Sequence, residues 1–144
     1  MVQKKGGYRM YLKNYLEQHN NIKEELQILK NLVNRGNIEG DAQEISLHIN
    51  TLAGKIKVHL ASEDKHMYPD LINSGNEEQK KTAIRYQNEM GDLMDVFTTF
   101  KGKYNTRSKI LENHNSFRQE LRDIITAIEK RIAMEESGLY QLLE

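Results

Sequence analysis

Apolar residues along the chain recur at steps of three and four, not two. In the first stretch Leu12, Leu16, His19, Ile22, Leu26, Leu29 and Leu32 (or Val33) fall on one helical face. A second face carries Ile45, Ile49, Leu52, Ile56, His59, Glu63 and His66 (or Met67), and a third Tyr86, Glu89 or Met90, Leu93, Val96 or Phe97, and Phe100. The last runs through Phe117, Leu121, Ile124, Ile128, Arg131, Glu135, Gly138 and Leu142. This is the 3.6-residue period of amphipathic helices. Breakers separate the stripes: Gly36 and Gly40, then Asn73-Ser74-Gly75-Asn76, then Gly102 to Asn105. The pattern predicts helices over about 5–35, 41–73, 77–103 and 108–143. Asp41 with Glu44 three residues on reads as a capping pair for the second. Gly91, inside the third, costs about 1 kcal/mol against alanine and so reads as a mark of close helix packing. Four long stripes joined by short turns predict one all-α domain over 1–144, an antiparallel up-down-up-down four-helix bundle.

Composition removes several function classes. A chain of 144 residues fits one domain with a sizeable core. It has no cysteine, which excludes disulfides, thiolate metal sites and cysteine nucleophiles. The 21 basic and 21 acidic residues balance, so charge gives no reason to expect nucleic acid or an anionic membrane as partner. The opening Met-Val-Gln-Lys-Lys-Gly-Gly is polar, unlike a signal peptide, and no window approaches the ~18 apolar residues of a membrane span. A cytoplasmic location is the expectation.

The chemistry lies in what interrupts the stripes. His19, His59, Glu63, Arg131 and Glu135 stand at positions the apolar rhythm assigns to the core. An isolated buried charge is too costly to persist. Two arrangements compensate for it: a bound metal ion, or a closed network of the carboxylates with Arg131 and the histidines. His59 and Glu63, four apart, share one helix face. Imidazole with carboxylates suits iron, manganese or zinc better than calcium or magnesium. His66, seven residues after His59, is read as a satisfied core residue or a neighbour of the site, and His48 and His114 as surface residues. Tyr15, Tyr68, Tyr86 and Tyr140 are core aromatics whose hydroxyls need partners.

An internal repeat points to a shared site. His-Leu-Ala-Ser-Glu-Asp-Lys-His-Met-Tyr-Pro-Asp-Leu at 59–71 aligns without gaps to Arg-Ile-Ala-Met-Glu-Glu-Ser-Gly-Leu-Tyr-Gln-Leu-Leu at 131–143. An acidic residue follows each glutamate, and a tyrosine follows five residues after it. The second and fourth helices are therefore expected to be related by a pseudo-twofold axis, with Glu63 and Glu135 facing each other across the core.

A His-x3-Glu followed by Tyr-Pro, with a degenerate copy at the fourth helix, resembles the hemerythrin-like (HHE) cation-binding family, and the resemblance runs from His19 to the C-terminus. It implies a bundle in which each half supplies a lone histidine and a His-x3-Glu to a non-haem di-iron centre. His19, His59 and Glu63 match the first half; Glu89 stands at the second lone-histidine position, and Arg131 with Glu135 at the second His-x3-Glu. Separations agree, 40 residues from His19 to His59 and 42 from Glu89 to Arg131. Two of the four family histidines are thus replaced. Glu89 can still ligate, whereas Arg131 only donates. The resemblance then implies metal ligands His19, His59, Glu63, Glu89 and Glu135, beside Arg131 and His66, holding iron (mononuclear or an incomplete di-iron pair), with manganese or zinc as alternatives. Three readings stay open. One is a metal protein that binds or senses oxygen or nitric oxide, with a separate protein partner if it signals. Another is a metal-using enzyme acting on peroxide or nitric oxide, or delivering iron for repair. The third is a metal-free interaction bundle in which Arg131 and the carboxylates replace the metal.

Overall fold

The computed structural model describes the backbone of residues 2–144 and the side chains from residue 12 onward. α1 (Val2–Asn34) stops where Gly36 takes φ +73°, a left-handed turn that a side chain would strain. Asn37 then caps α2 (Ile38–Ser62), its side chain accepting from the Gly40 amide at 3.3 Å. The helix therefore starts three residues before the predicted Asp41–Glu44 pair; Asp41 lies in its first turn, 3.6 Å from Arg35.

α2 does not end at Ser62. It passes through a single π turn, Glu63–Met67, into α3 (Tyr68–Ser74), so the predicted second helix is continuous but wider at that turn. An Asn76/Gln79 capping box opens α4 (Glu77–Met90). The chain breaks at Gly91-Asp92 and resumes as α5 (Leu93–Tyr104), so the predicted third helix is two. A Cβ at Gly91 would meet the Gln87 carbonyl of its own turn, which makes the glycine a helix end and not a close contact between helices. α6 (Arg107–Glu112) is capped by Thr106, and α7 (His114–Met134) continues through a second π turn, Glu135–Leu139, into a 3-10 turn, Tyr140–Leu143. There is no strand among the described residues, and no helix is long and apolar enough to cross a membrane.

α1 packs on α2 and α7, α2 on α5 and α6, and α5 on α7. Gln18 meets His59 while Glu25 meets His48, and Lys23 meets Glu136 while Lys30 meets Glu129. α1 therefore runs opposite to both neighbours. Two apolar clusters result. The larger runs from Ile22 through Ile56, Phe97 and Phe117 to Ile132; the smaller gathers Tyr15, Tyr68, Leu71, Tyr86, Met90 and Leu143. Buried His19, Glu63 and Glu135 sit along the chain where one cluster gives way to the other, between Tyr15 and Ile22, Leu60 and Met67, and Ile132 and Leu139, with His59 and Arg131 one residue ahead of the last two intervals.

The stripes hold with local exceptions. Leu16 and Val96 are exposed, and Phe97 takes the inward position. Past each glutamate the register moves by one. Met67 is buried in place of His66, and Leu139 and Leu143 in place of Gly138 and Leu142. The cause is the π turn, in which the Tyr68 amide reaches back to the Glu63 carbonyl and that of Tyr140 to Glu135, each adding one residue to the turn.

Candidate metal centre

The repeat seen in the sequence is physical. Each half brings a residue at the end of an α-helix (His59 or Arg131), a glutamate that begins the π turn (Glu63 or Glu135), and a tyrosine just beyond it (Tyr68 or Tyr140). The tyrosines cross over. Tyr68 donates to Glu135 Oε2 at 2.7 Å, and Tyr140 to Glu63 Oε2 at 2.5 Å. Each half thus orients the other's carboxylate.

His19, His59, Glu63 and Glu135 converge, all buried, with one donor atom of each within 4.8 Å of the others. His19 Nε2 lies 3.2 Å from Glu135 Oε1, and His59 Nε2 lies 3.1 Å from Glu63 Oε1. Yet His59 Nε2 and Glu135 Oε1 are buried without a hydrogen-bond partner, a state that costs about 1–3 kcal/mol per group. The outward nitrogens are well held. His19 Nδ1 faces Glu136 Oε2 at 2.8 Å, and His59 Nδ1 faces Gln18 Oε1 at 2.6 Å. Both partners accept, so each Nδ1 carries a proton; neutral His59 turns its Nε2 lone pair inward, and His19, whose Nε2 also lies 3.1 Å from the Tyr140 hydroxyl, does so once its Nε2 proton is lost, the arrangement typical of a metal-ligating histidine. Ligands about 2.1 Å from one ion and at right angles lie about 3 Å apart, which these separations match. Each of these two pairs fits two ligands of one cation, and the four residues together could hold an ion.

Arg131 occupies the other side. Its Nε donates to Glu135 at 3.1 Å, its Nη2 to Asp64 at 2.7 Å and Glu63 at 3.3 Å, and its Nη1 to the Met90 carbonyl at 3.3 Å. Its guanidinium also lies over the Tyr68 ring, 5.4 Å from the centroid. The electrostatics follow from burial against these neighbours. Burial raises Glu63 and Glu135, and the Glu63 charge raises Glu135 further; Arg131 and His19 offset part of both. His19 is pulled down by burial but more strongly up by Glu135, Glu63 and Glu136, so it ends above its ordinary value. His59 is lowered to about 3, by burial first and then by the His19 charge, and stays neutral. Arg131, although buried, is raised by Glu135 and Glu63 and remains a fixed cation.

Of the residues singled out in the sequence, His19, His59, Glu63 and Glu135 come together and Arg131 lies against them. Glu89 does not join them. It is exposed because α4 ends at Met90, whose side chain turns inward and whose carbonyl accepts a hydrogen bond from Arg131 Nη1. His66 is exposed, rotated outward by the π turn. His114 is on the surface as expected, while His48 is half-buried against Glu25. Asp64, Glu136 and Gln18 went unassigned. The acidic residue that follows each glutamate was the visible signal for the first two; nothing marked Gln18.

A family model described as the hemerythrin HHE cation binding domain matches residues 11–143. No curated protein and no solved structure matches the chain.

Proposed function

The chain belongs to the hemerythrin HHE cation-binding domain family, and we propose that it is a non-haem metal protein, an antiparallel up-down-up-down bundle whose His19, His59, Glu63 and Glu135 hold iron open to a diatomic such as oxygen or nitric oxide. The observation that carries this reading is the pair of buried, unpartnered atoms, His59 Nε2 and Glu135 Oε1, inside a ring of four convergent ligands. Iron there would supply a Lewis-acidic, redox-active centre with coordination positions that four side chains leave free. The protein's own groups do the positioning. Glu136 and Gln18 fix the imidazoles, Tyr68 and Tyr140 hold the carboxylates, and the two apolar clusters keep bulk water away. A sensing role would add a separate partner protein in the cytoplasm. Anaerobic reconstitution without a histidine tag is expected to give stoichiometric iron and an absorption band on exposure to oxygen. Colourless protein with iron at background would refute the proposal.

The three hydrogen bonds of Arg131 to carboxylates favour a second reading, in which the guanidinium replaces the ion as their counter-charge and the bundle works without metal. It predicts that His59→Ala lowers the melting temperature equally with and without added metal. A large metal-dependent shift in the parent protein rejects it, because a ligand selective for the native state stabilises it.

A further inference from the structure

We infer that the outward face of α2 is a self-association surface, on which a second copy of this chain docks antiparallel about a twofold axis beside Asn50 and Thr51. Val58 and Leu47, at 63% and 56%, are the most exposed large apolar side chains among the described residues. They stand eleven residues apart on α2, about three turns, and so share one face, with Thr51 and Gly54 exposed between them. One exposed apolar residue needs no explanation, but an aligned pair does. The flanks of α2 are already engaged. His48 and Lys55 meet Glu25 of α1, and Asn50 donates to the Asn105 carbonyl before α6.

Shape sets the register. A surface groove of about 290 Å³ beside this face is lined by Gln18, Asn21, Gly54, Lys55 and Val58. A Cβ on Gly54 would meet nothing within 4 Å, so the glycine leaves a hole that the single chain does not fill, at a cost to the helix of about 1 kcal/mol. Leu47 lies seven residues, about two turns, before Gly54. A twofold axis midway seats Leu47 of each copy over Gly54 of the other, the same knob and hole twice, as a closed dimer requires. Charge sets the direction. α2 is acidic toward its start, with Glu39, Asp41 and Glu44, and basic past its middle, with Lys55 and Lys57. Asp41 and Lys55 pair within the chain, with Arg35 and Glu25, whereas Glu44 and Lys57 are exposed and enter no ion pair among the described residues. The register that seats Leu47 on Gly54 brings Glu44 level with Lys57 of the other copy. A parallel copy would set like charges together.

The test is sedimentation equilibrium of the full chain. One helix face per copy buries less than a standard interface, so the wild type should pass from monomer to dimer with a Kd of about 1–100 µM. Leu47→Glu should weaken association at least about tenfold. Gly54→Gln should raise the melting temperature of the dilute monomer by improving the helix, yet weaken association at least about tenfold by filling the hole. Glu44→Lys and Lys57→Glu should each weaken it at least about threefold, and an equimolar mixture of the two should recover most of the wild-type affinity, because every lysine then meets a glutamate. A wild type still monomeric at about 1 mM overturns the inference and leaves the face to a different protein. A dimer that Leu47→Glu and Gly54→Gln leave intact, or a mixture that does not recover, overturns it as well. Circular dichroism checks each fold, and should Leu47→Glu unfold, Gly54→Gln and the mixture decide. Association through this face needs no metal, so its failure leaves the metal-binding reading standing.

Discussion

Arg131→Met separates what the guanidinium does for the fold from what it does to a metal. In the metal-free protein the substitution removes hydrogen bonds to Glu135, Asp64 and Glu63 and leaves two fully buried carboxylates facing each other. Breaking a buried pair from one side costs about 3–5 kcal/mol. That is a large part of the ~5–15 kcal/mol of a typical domain, so the urea midpoint measured in chelator should fall steeply. Glu63 and Glu135 can relieve part of the strain by taking up protons, since burial already favours their neutral forms. With excess divalent metal the gap between variant and parent should narrow. The ion supplies the missing counter-charge and no longer meets a guanidinium beside the carboxylates it binds. By linkage the narrowing equals the gain in metal affinity, expected at about 1–3 kcal/mol for sites coupled in this way. The variant thus binds metal more tightly although its metal-free fold is weaker. Urea unfolding in both media and a metal titration of both proteins suffice. A loss under about 1 kcal/mol in chelator would show the carboxylates do not depend on Arg131, and an equal loss in both media would show that no ion shares its role.

Further consequences can be checked alongside. Glu136→Gln replaces the carboxylate that holds His19 Nδ1 and should weaken metal binding about 10–100-fold by calorimetry, with little change in the melting temperature of the metal-free protein. Metal affinity should fall as pH falls, beginning above the ordinary histidine range. His19, Glu63 and Glu135 all have raised values and must release any proton before they ligate, whereas His59, held at about 3, needs no deprotonation; a flat profile from about pH 8 to 6 would contradict this. Gly138→Ala would place a methyl group against the Tyr86 hydroxyl and ring, and overpacking there should cost about 1–3 kcal/mol in thermal or urea unfolding. Tyr86→Phe in the same chain should recover part of that loss.

The sequence was most legible where physical cost leaves no alternative. Charged residues at inward positions had to meet compensation, so His19, His59, Glu63, Arg131 and Glu135 could be read as one cluster before any coordinates. Chain breaks were legible at Gly36 and Asn76 but not at Gly91-Asp92, because a glycine in an apolar rhythm looks the same as a packing contact and as a helix end. That break decided Glu89. Position 89 or 90 could face inward by spacing alone, and only the end of α4 at Met90 settles it for the methionine. The break at Asn113, which divides the predicted fourth helix into α6 and α7, went unseen as well, and so did the π turns. No residue type encodes a five-residue turn, so a strict 3.6 period left His66 and Met67 as alternatives and carried Gly138 and Leu142 inward where Leu139 and Leu143 belong.

Those two turns also explain why the site is lopsided although its frame is symmetric. A π turn displaces the following tyrosine enough to reach across to the opposite glutamate, and because both halves have one, Tyr68 and Tyr140 exchange hydrogen bonds with Glu135 and Glu63. The frame alone would make two equivalent half-sites. Position 59 completes one with an imidazole whose inward nitrogen has no partner, and position 131 completes the other with a guanidinium that has several. One side therefore still needs a cation and the other already contains one. The asymmetry of the chemistry comes from two differences between matched positions, buried His19 against exposed Glu89 and His59 against Arg131, and the second is why substitution at residue 131 moves fold stability and metal affinity in opposite directions.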